Sequence, residues 1–174
     1  MSRPCAHTLA SLVRESAPLT LRFFEGFDDR NGLEQPPHLP NHARWSLGHL
    51  AFTMARLAER LGAPPPDASD FVPGDRGDAR AFGIESMAFG STPTPDDDRY
   101  PGMGRATEIF DHAIERLAST VEGLDDEHLQ REHPWGAASM PAWKLVIRVA
   151  LHNGTHAGQM TDTRRALDLG RVIG

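Results

Sequence analysis

Two histidines near the carboxyl end of the chain, His152 and His156, have the spacing of a pair of metal ligands on a helix. Four helical residues turn about 400°, so both imidazoles leave the helix along nearly one line. One helix can therefore offer two nitrogens to a single ion, and a third ligand must come from elsewhere in the fold. The best candidate is His49, in the segment WSLGHLAFTMARLAERL, which also has a helical pattern.

The surroundings of this pair distinguish it from a chance spacing. Nine histidines in 174 residues give roughly half of one such pair by composition alone. A second pair, His38 and His42, has Pro40 between its members, which disfavours a regular helix. The pair at 152 and 156 instead shares a sector of about 100° on a helical wheel with the apolar residues Leu145 and Val149. We therefore expect it to face the core.

Three histidines in the interior of a fold, or along a pocket at its edge, must have their polar atoms satisfied. Shared coordination of one metal ion satisfies them, and hydrogen bonds from neutral imidazoles to backbone carbonyls are the alternative. Three imidazoles leave positions open on Zn²⁺, Ni²⁺ or Fe²⁺, as a catalytic site requires. With histidine ligands, metal affinity is expected to fall as the pH drops through about 6.5.

Two polar residues accompany the histidines. Gln159 lies one turn beyond His156, where it would orient a metal-bound ligand or cap a buried carbonyl. Asn153 is adjacent to His152 and is a candidate hydrogen-bond partner for the metal-binding histidines. No catalytic general base is evident in the motif. Candidates for lining a pocket from the loops are Phe89, Tyr100 and Trp135, and the histidines expected at the surface or in loops are His42, His112, His128 and His133.

Composition limits the possible partners. We interpret residues 1–174 as a single domain, long enough to bury its own core. The net charge of −6 argues against binding to a phosphate backbone. A lone cysteine, Cys5, excludes an internal disulfide and suits a reducing compartment. No run approaches the roughly 18 apolar residues of a membrane span. We expect a cytoplasmic protein with neither nucleic acid nor membrane as a partner.

Apolar residues at helical spacing predict four helices and no sheet. Pro18 is expected to kink or interrupt the first helix, while Ser139 is the expected N-cap of the fourth, with Pro141 in its first turn. Gly62 and a run of prolines end the second. The predicted ranges are 5–29, 41–61, about 103–123 and about 139–169.

About forty residues rich in Pro, Gly and Asp separate the second and third helices. A helix of about twenty residues is about 30 Å long, and a connection of this length can return along it. The second and third helices would then be parallel. The sequence therefore predicts an all-α four-helix bundle, up-down-down-up, with one long crossover that contains a candidate short helix at 83–89.

Three segments carry a resemblance to a known family: WSLGHLA in the second helix, HNGTHAGQ in the fourth, and the TRRALDLGR that follows. The chain resembles the DinB/YfiT-like superfamily, which includes metal-dependent enzymes. The resemblance implies the same bundle, frequent homodimers, and a divalent metal held by His49, His152 and His156. Characterised relatives use low-molecular-weight thiols such as bacillithiol, mycothiol or glutathione for S-transfer or isomerisation.

Three functions are open at this point. The first is a metal-dependent thiol S-transferase, in which the metal binds the thiol as thiolate and the crossover selects the electrophile. The second is a metal-dependent hydrolase, which needs an acid or base such as Glu85 or an aspartate of the run 96–98. The third is a non-enzymatic, stress-associated bundle with a closed metal site and a fourth protein ligand. The open three-ligand set favours an enzyme. An HExxH motif is absent, and Glu108 and His112 have the wrong spacing for a di-iron site.

Overall fold

The computed structural model describes residues 5–65 and 91–172, and these are mostly helical. Four helices are long, one is short, and a 3-10 turn and a two-stranded sheet complete the regular structure of these residues. In chain order the elements are α1 (Ala6–Arg22), α2 (Ala43–Arg60), the 3-10 turn (Asp97–Arg99), α3 (Met103–Glu122), α4 (Asp126–Gln130), β1 (Glu132–Trp135), β2 (Ala138–Pro141) and α5 (Ala142–Ala166).

The long helices pack around one apolar core. α3 packs on α1 and α2, while α5 packs mainly on α1 and less extensively on α2. The largest side chains of the core include Leu50, Leu57, Phe110, Leu117 and Leu145, all without exposed surface. These residues recur at helical spacing because each helix turns one apolar face inward. No helix in the described ranges is long and apolar enough to cross a lipid bilayer.

The predicted bounds of α2 and α3 differ from the observed ones by at most two residues. The first helix is shorter than expected, because α1 ends at Arg22. Pro18 does not interrupt α1. Its side chain is exposed, and the helix continues to Arg22 without the hydrogen bond that a proline cannot donate. The candidate short helix at 83–89 lies outside the described residues.

The expectation of no sheet is wrong, because β1 and β2 form an antiparallel hairpin. Trp135 and Ala138 are opposite each other at its end, joined by a two-residue turn. Gly136 begins that turn with φ of +61°, a conformation that favours glycine. Four-residue strands are too short to produce the long alternation by which a strand is recognised.

The hairpin also corrects the predicted start of the last helix. Ser139 is not its N-cap, because it lies within β2, where its hydroxyl donates to Glu132 at 2.9 Å. α5 begins at Ala142, after Pro141, whose fixed φ suits the residue that precedes a first helical turn. The hairpin therefore leads directly into the helix that carries two of the candidate ligands.

Arg164 joins the end of α5 to the segment that follows α1. Its side chain is buried, and its guanidinium donates hydrogen bonds to the backbone carbonyls of Glu25, Leu169 and Gly170. It also lies 6.0 Å from the ring centroid of Phe27. A planar group with five donors can serve three carbonyls at once, whereas an ammonium on a thinner side chain cannot do so in the same geometry.

We expect Arg164→Ala to lower the free energy of unfolding by about 2 kcal/mol, because three carbonyls lose a charged donor. Arg164→Lys should recover only part of this loss. The measurement is urea denaturation followed by circular dichroism. Arg165→Ala, in the exposed neighbour, is the control and should change stability by less than about 0.5 kcal/mol. Equal losses in Arg164→Ala and Arg165→Ala would contradict the role given to Arg164.

Candidate metal centre

The structure brings the three predicted histidines together where α2 meets α5. His49 belongs to α2, and His152 and His156 lie one turn apart on α5. The ring centroid of His49 is 5.2 Å from that of His152 and 5.1 Å from that of His156, and the two rings on α5 are 4.6 Å apart. One nitrogen from each ring lies within 4.8 Å of the others. All three side chains can therefore reach a single ion.

The distance between the two α5 histidines fits a shared ion. Their Nε2 atoms are 3.1 Å apart. With Zn–N bonds of about 2.05 Å, two nitrogens on one ion are about 2.9 Å apart at a right angle and about 3.3 Å apart at the tetrahedral angle. Because the observed distance lies between these values, the pair needs little movement to hold an ion.

Hydrogen bonds alone do not satisfy these side chains. The two Nε2 atoms share one hydrogen bond, while the Nδ1 atoms of His152 and His156 are buried and have no partner in the part of the chain that the structure describes. The alternative expectation, in which each neutral imidazole bonds to a backbone carbonyl, does not describe this pair.

Burial holds the α5 histidines in their neutral form. It lowers the pKa of His152 to about 4, with smaller contributions from His49 and Arg148. It lowers the pKa of His156 to about 3, assisted by His152 and His49 and opposed by the neighbouring Gln159. A metal-binding imidazole must be unprotonated, so both are ready at neutral pH. Burial therefore moves proton competition at these two histidines below the range near pH 6.5, and the fall of metal affinity with pH stays a prediction.

The two polar residues predicted beside the histidines have different surroundings. Gln159 lies beside His156, and its Oε1 accepts a hydrogen bond from Asn41 Nδ2 at 3.1 Å. Asn153 is fully buried, and its Nδ2 donates to Ser16 Oγ at 3.2 Å. Asn153 thus joins α5 to α1, and Gln159 is the one of the two that the structure places beside a histidine.

The stacking of Trp45 on His49 was not foreseen from the sequence. The two ring centroids are 4.5 Å apart and the planes differ by 9°. The indole Nε1 of Trp45 donates to Ser91 Oγ at 3.0 Å, which holds the indole in place. The four-residue spacing of Trp45 and His49 on α2 is the signal that would have indicated this contact. The stack fixes the plane in which His49 presents its nitrogens.

We predicted His42 at the surface or in a loop, but the structure shows that its side chain is buried. His42 has no exposed surface and is the N-cap of α2. Its Nδ1 accepts a hydrogen bond from the amide of Trp45 at 3.1 Å, and its Nε2 lies 3.0 Å from the carbonyl oxygen of Thr94. This arrangement requires a neutral ring with its proton on Nε2. Burial accordingly lowers the pKa of His42 to about 4.

A cavity of about 700 Å³ reaches the histidine cluster from one side. Its walls come from α2, α5 and the turn of the hairpin, and its lining includes His49 and the half-buried His152. Phe52 and Trp135 contribute aromatic surface. The structure thus places Trp135 where the sequence suggested, whereas Phe89 lies outside the described residues. The basic side chains of the lining are Arg56, Arg60 and Arg148.

Tyr100 does not line this cavity. It is buried, its ring packs edge-on against His42 with centroids 4.8 Å apart, and its hydroxyl accepts a hydrogen bond from the amide of Thr94 at 3.1 Å. Tyr100 therefore supports the beginning of α2 rather than the candidate site.

Comparison with known proteins assigns the family. The family model described as the DinB superfamily matches residues 12–160. No curated protein matches the chain. The fold is similar to a crystal structure of a conserved protein from Enterococcus faecalis, with a TM-score of 0.70 and 13% identity over 94% of this chain and 97% of that chain. Because the family model covers most of the sequence, the chain belongs to the DinB superfamily.

Proposed function

We propose that this protein is a metal-dependent thiol S-transferase in which His49, His152 and His156 hold a divalent ion. A small thiol would lose its proton to solvent and form a thioether bond through its sulfur to an electrophilic carbon, which would either take up a proton or release its leaving group. The observation that carries the proposal is the cavity, which reaches His49 and His152. A site reached from solvent has room for a ligand that the protein itself does not supply, as catalysis requires.

The residues around the site would have different roles in this reaction. The neutral imidazoles hold the ion, and the stacked Trp45 fixes the plane of His49. Phe52 and Trp135 give the cavity apolar walls that limit water near the reacting atoms. The ion, when bound, supplies a positive charge that favours the thiolate over the thiol.

The bundle topology belongs to the same proposal. We infer an up-down-down-up arrangement from contacts between helices at matched heights. α1 and α3 are antiparallel, because His7 pairs with Glu122 alone, whereas Arg14, two turns further along α1, pairs with both Glu122 and Glu115. α2 and α5 are antiparallel at the cluster, since Asn41 meets Gln159 as His49 meets His152.

α1 and α5 run in the same direction. Ser16 of α1 contacts Asn153 of α5, and Glu25, which follows the end of α1, contacts Arg164 further along α5. Taken with the two antiparallel pairs, this makes α2 and α3 parallel, as a long crossover between them permits. The homodimer and the cytoplasmic location implied by the sequence remain predictions.

The hydrolase alternative has less support. The described lining of the cavity contains no aspartate or glutamate. In the run 96–98, Asp97 accepts a hydrogen bond from buried Arg44, and Asp96 caps the 3-10 turn, so both have structural partners. Glu85 lies outside the described residues. A closed structural metal site is also disfavoured, because among the described residues the candidate ligand group contains three histidines and no fourth ligand.

The proposal is tested by loading the untagged protein with Co²⁺ and titrating it with 2-mercaptoethanol. We expect about one ion per chain by mass spectrometry, and a saturable thiolate-to-cobalt absorption band. Thr53→Phe should keep the ion but weaken thiol binding at least about tenfold, because Thr53 lines the cavity one turn from His49 and a phenyl ring would obstruct the approach.

Thr155→Phe is the matched control. Thr155 lies on the exposed side of α5, and its hydroxyl donates to the carbonyl four residues earlier, at 3.1 Å to Leu151, as that of Thr53 does at 2.8 Å to His49. It should bind thiol as the parent does. Absence of bound metal after addition of Zn²⁺, Ni²⁺, Fe²⁺ or Co²⁺, or absence of any thiol band on a metal-loaded protein, would overturn the proposal.

A further inference from the structure

Among the described residues that line the cavity, the charged side chains are all of one sign. Arg56, Arg60 and Arg148 contribute to its walls, and no acidic residue among the described ones does. This contrasts with the chain as a whole, whose net charge is −6. Like charges gathered in one cavity repel one another unless an anion lies between them.

Two of these arginines are available to a ligand. Neither Arg56 nor Arg148 forms an ion pair with another described residue, and both are exposed at the surface of the cavity. Arg56 lies with its guanidinium carbon 5.7 Å from the ring centroid of Phe52, which restricts its direction without neutralising its charge.

Arg60 is already engaged. Its guanidinium donates to the carbonyl of Pro134 and lies 5.5 Å from the ring centroid of Trp135. It therefore attaches the hairpin to α2 and positions one wall of the cavity, while its charge still adds to the positive potential inside.

The two available arginines lie at a similar height, beyond the histidines. Arg148 precedes His152 by one turn of α5, about 6 Å, and Arg56 follows His49 by two turns of α2, about 10 Å. Because α2 and α5 are antiparallel here, both positions are displaced from the histidines towards the same end of the cavity. A small molecule can therefore contact both arginines with one end and extend towards the histidines with the other.

We propose that this cavity binds a small molecule carrying an oxyanion, a carboxylate or a phosphonate, held by Arg56 and Arg148 with its body against Phe52 and Trp135. Guanidinium groups pair with such oxyanions through two parallel hydrogen bonds. The other end of the molecule, away from the oxyanion, would carry a thiol or an electrophilic group, and this assignment rests on the proposed function. The binding of the oxyanion does not depend on it.

The first measurement uses protein stripped of metal with a chelator, so that no ion contributes to binding. Succinate, a dianion, and succinamide, its neutral counterpart, are titrated by ligand-observed NMR. We expect succinate alone to bind, and the double variant Arg56→Gln/Arg148→Gln to weaken it about tenfold. Arg165→Gln removes the same group from an exposed position of α5 outside the cavity and should leave succinate binding unchanged.

A second measurement shows whether the thiol or the electrophile carries the oxyanion. Mercaptosuccinate and 3-mercapto-1,2-propanediol, an anionic and a neutral thiol, are titrated into the Co²⁺-loaded protein. A preference for mercaptosuccinate that disappears in the double variant supports an anionic thiol. Equal affinities, together with addition of the neutral thiol across the double bond of fumarate that the double variant does not catalyse, support an anionic electrophile.

The outcomes separate this inference from the proposed function. Succinate that does not bind, or that binds the double variant as well as the parent, overturns the anion site even if thiols bind the metal-loaded protein. Arginine-dependent succinate binding in a protein that takes up no metal supports the anion site and overturns only the thiol-transferase proposal. Circular dichroism of each variant shows whether it is folded, and single variants replace the double variant if it is not.

Discussion

Alanine in place of His49 or His156 is expected to lower the affinity for Zn²⁺ by at least about 100-fold, more than the loss of a supporting hydrogen bond usually costs a metal site. Each substitution removes one of three ligands, and the remaining pair cannot enclose the ion. An ion that binds the folded state also raises the free energy of unfolding, by an amount that grows with the logarithm of the ratio of the metal concentration to Kd. The variants should therefore lose the rise in melting temperature that Zn²⁺ gives the parent.

His112→Ala is the control for this experiment, because His112 is exposed on α3 and lies outside the cluster. Metal content by mass spectrometry and melting temperature with and without Zn²⁺ are measured for all proteins. Without metal, His156→Ala should not be greatly destabilised, since it also removes a buried Nδ1 that lacks a partner. A variant that retains parental metal affinity would exclude its histidine from the site.

Acidification from pH 7 to pH 4 is expected to remove several kcal/mol of stability from the metal-free protein. His42 in the unfolded chain titrates near 6.5, and burial lowers its pKa in the folded protein to about 4. Between these values the unfolded chain binds a proton that the folded protein does not, so the free energy of unfolding falls as the pH falls. A shift of this size corresponds to roughly 3 kcal/mol, lost progressively below pH 6.5.

His152 and His156 act in the same direction, because burial lowers the pKa of both. The contribution of His42 is isolated by His42→Asn, which keeps an acceptor for the amide of Trp45 but has no titrating group. Urea denaturation at pH 7, 5.5 and 4 should show a shallower loss for this variant than for the parent, and a parental loss for His112→Asn. Parallel curves for the parent and His42→Asn would refute the buried neutral His42.

Much of the helical frame was predictable from local signals. α2 ends where Gly62 and the prolines that follow it cannot continue a helix, and α3 has a regular apolar repeat from Ala106 to Leu117. The hairpin was not predictable, because its strands are short and their burial alternates for only four residues. The connection from His38 to His42 suggested exposed loop, yet His42 is buried because it completes the first turn of α2.

The candidate site was predictable only in part. The spacing of His152 and His156 indicated one half of the cluster, and His49 followed from its helical pattern and from the family resemblance. The arginines of the cavity were missed, although Arg148, His152 and His156 are separated by four residues each. That repeat shows a shared helix face, but the opposing position of Arg56 depends on how α2 and α5 pack, which no local pattern determines.

The position of the histidines between α2 and α5 has a consequence for the lifetime of the protein in a cell. α2 packs mainly on α3, and α5 mainly on α1, so an ion held by all three histidines would cross-link two helix pairs. The joined segments are about a hundred residues apart in the chain, and an ion that binds the folded site but not the unfolded chain adds its binding free energy to the stability of the folded protein. Metal starvation would therefore expose the chain to proteolysis, and the abundance of this protein would follow the supply of its ion.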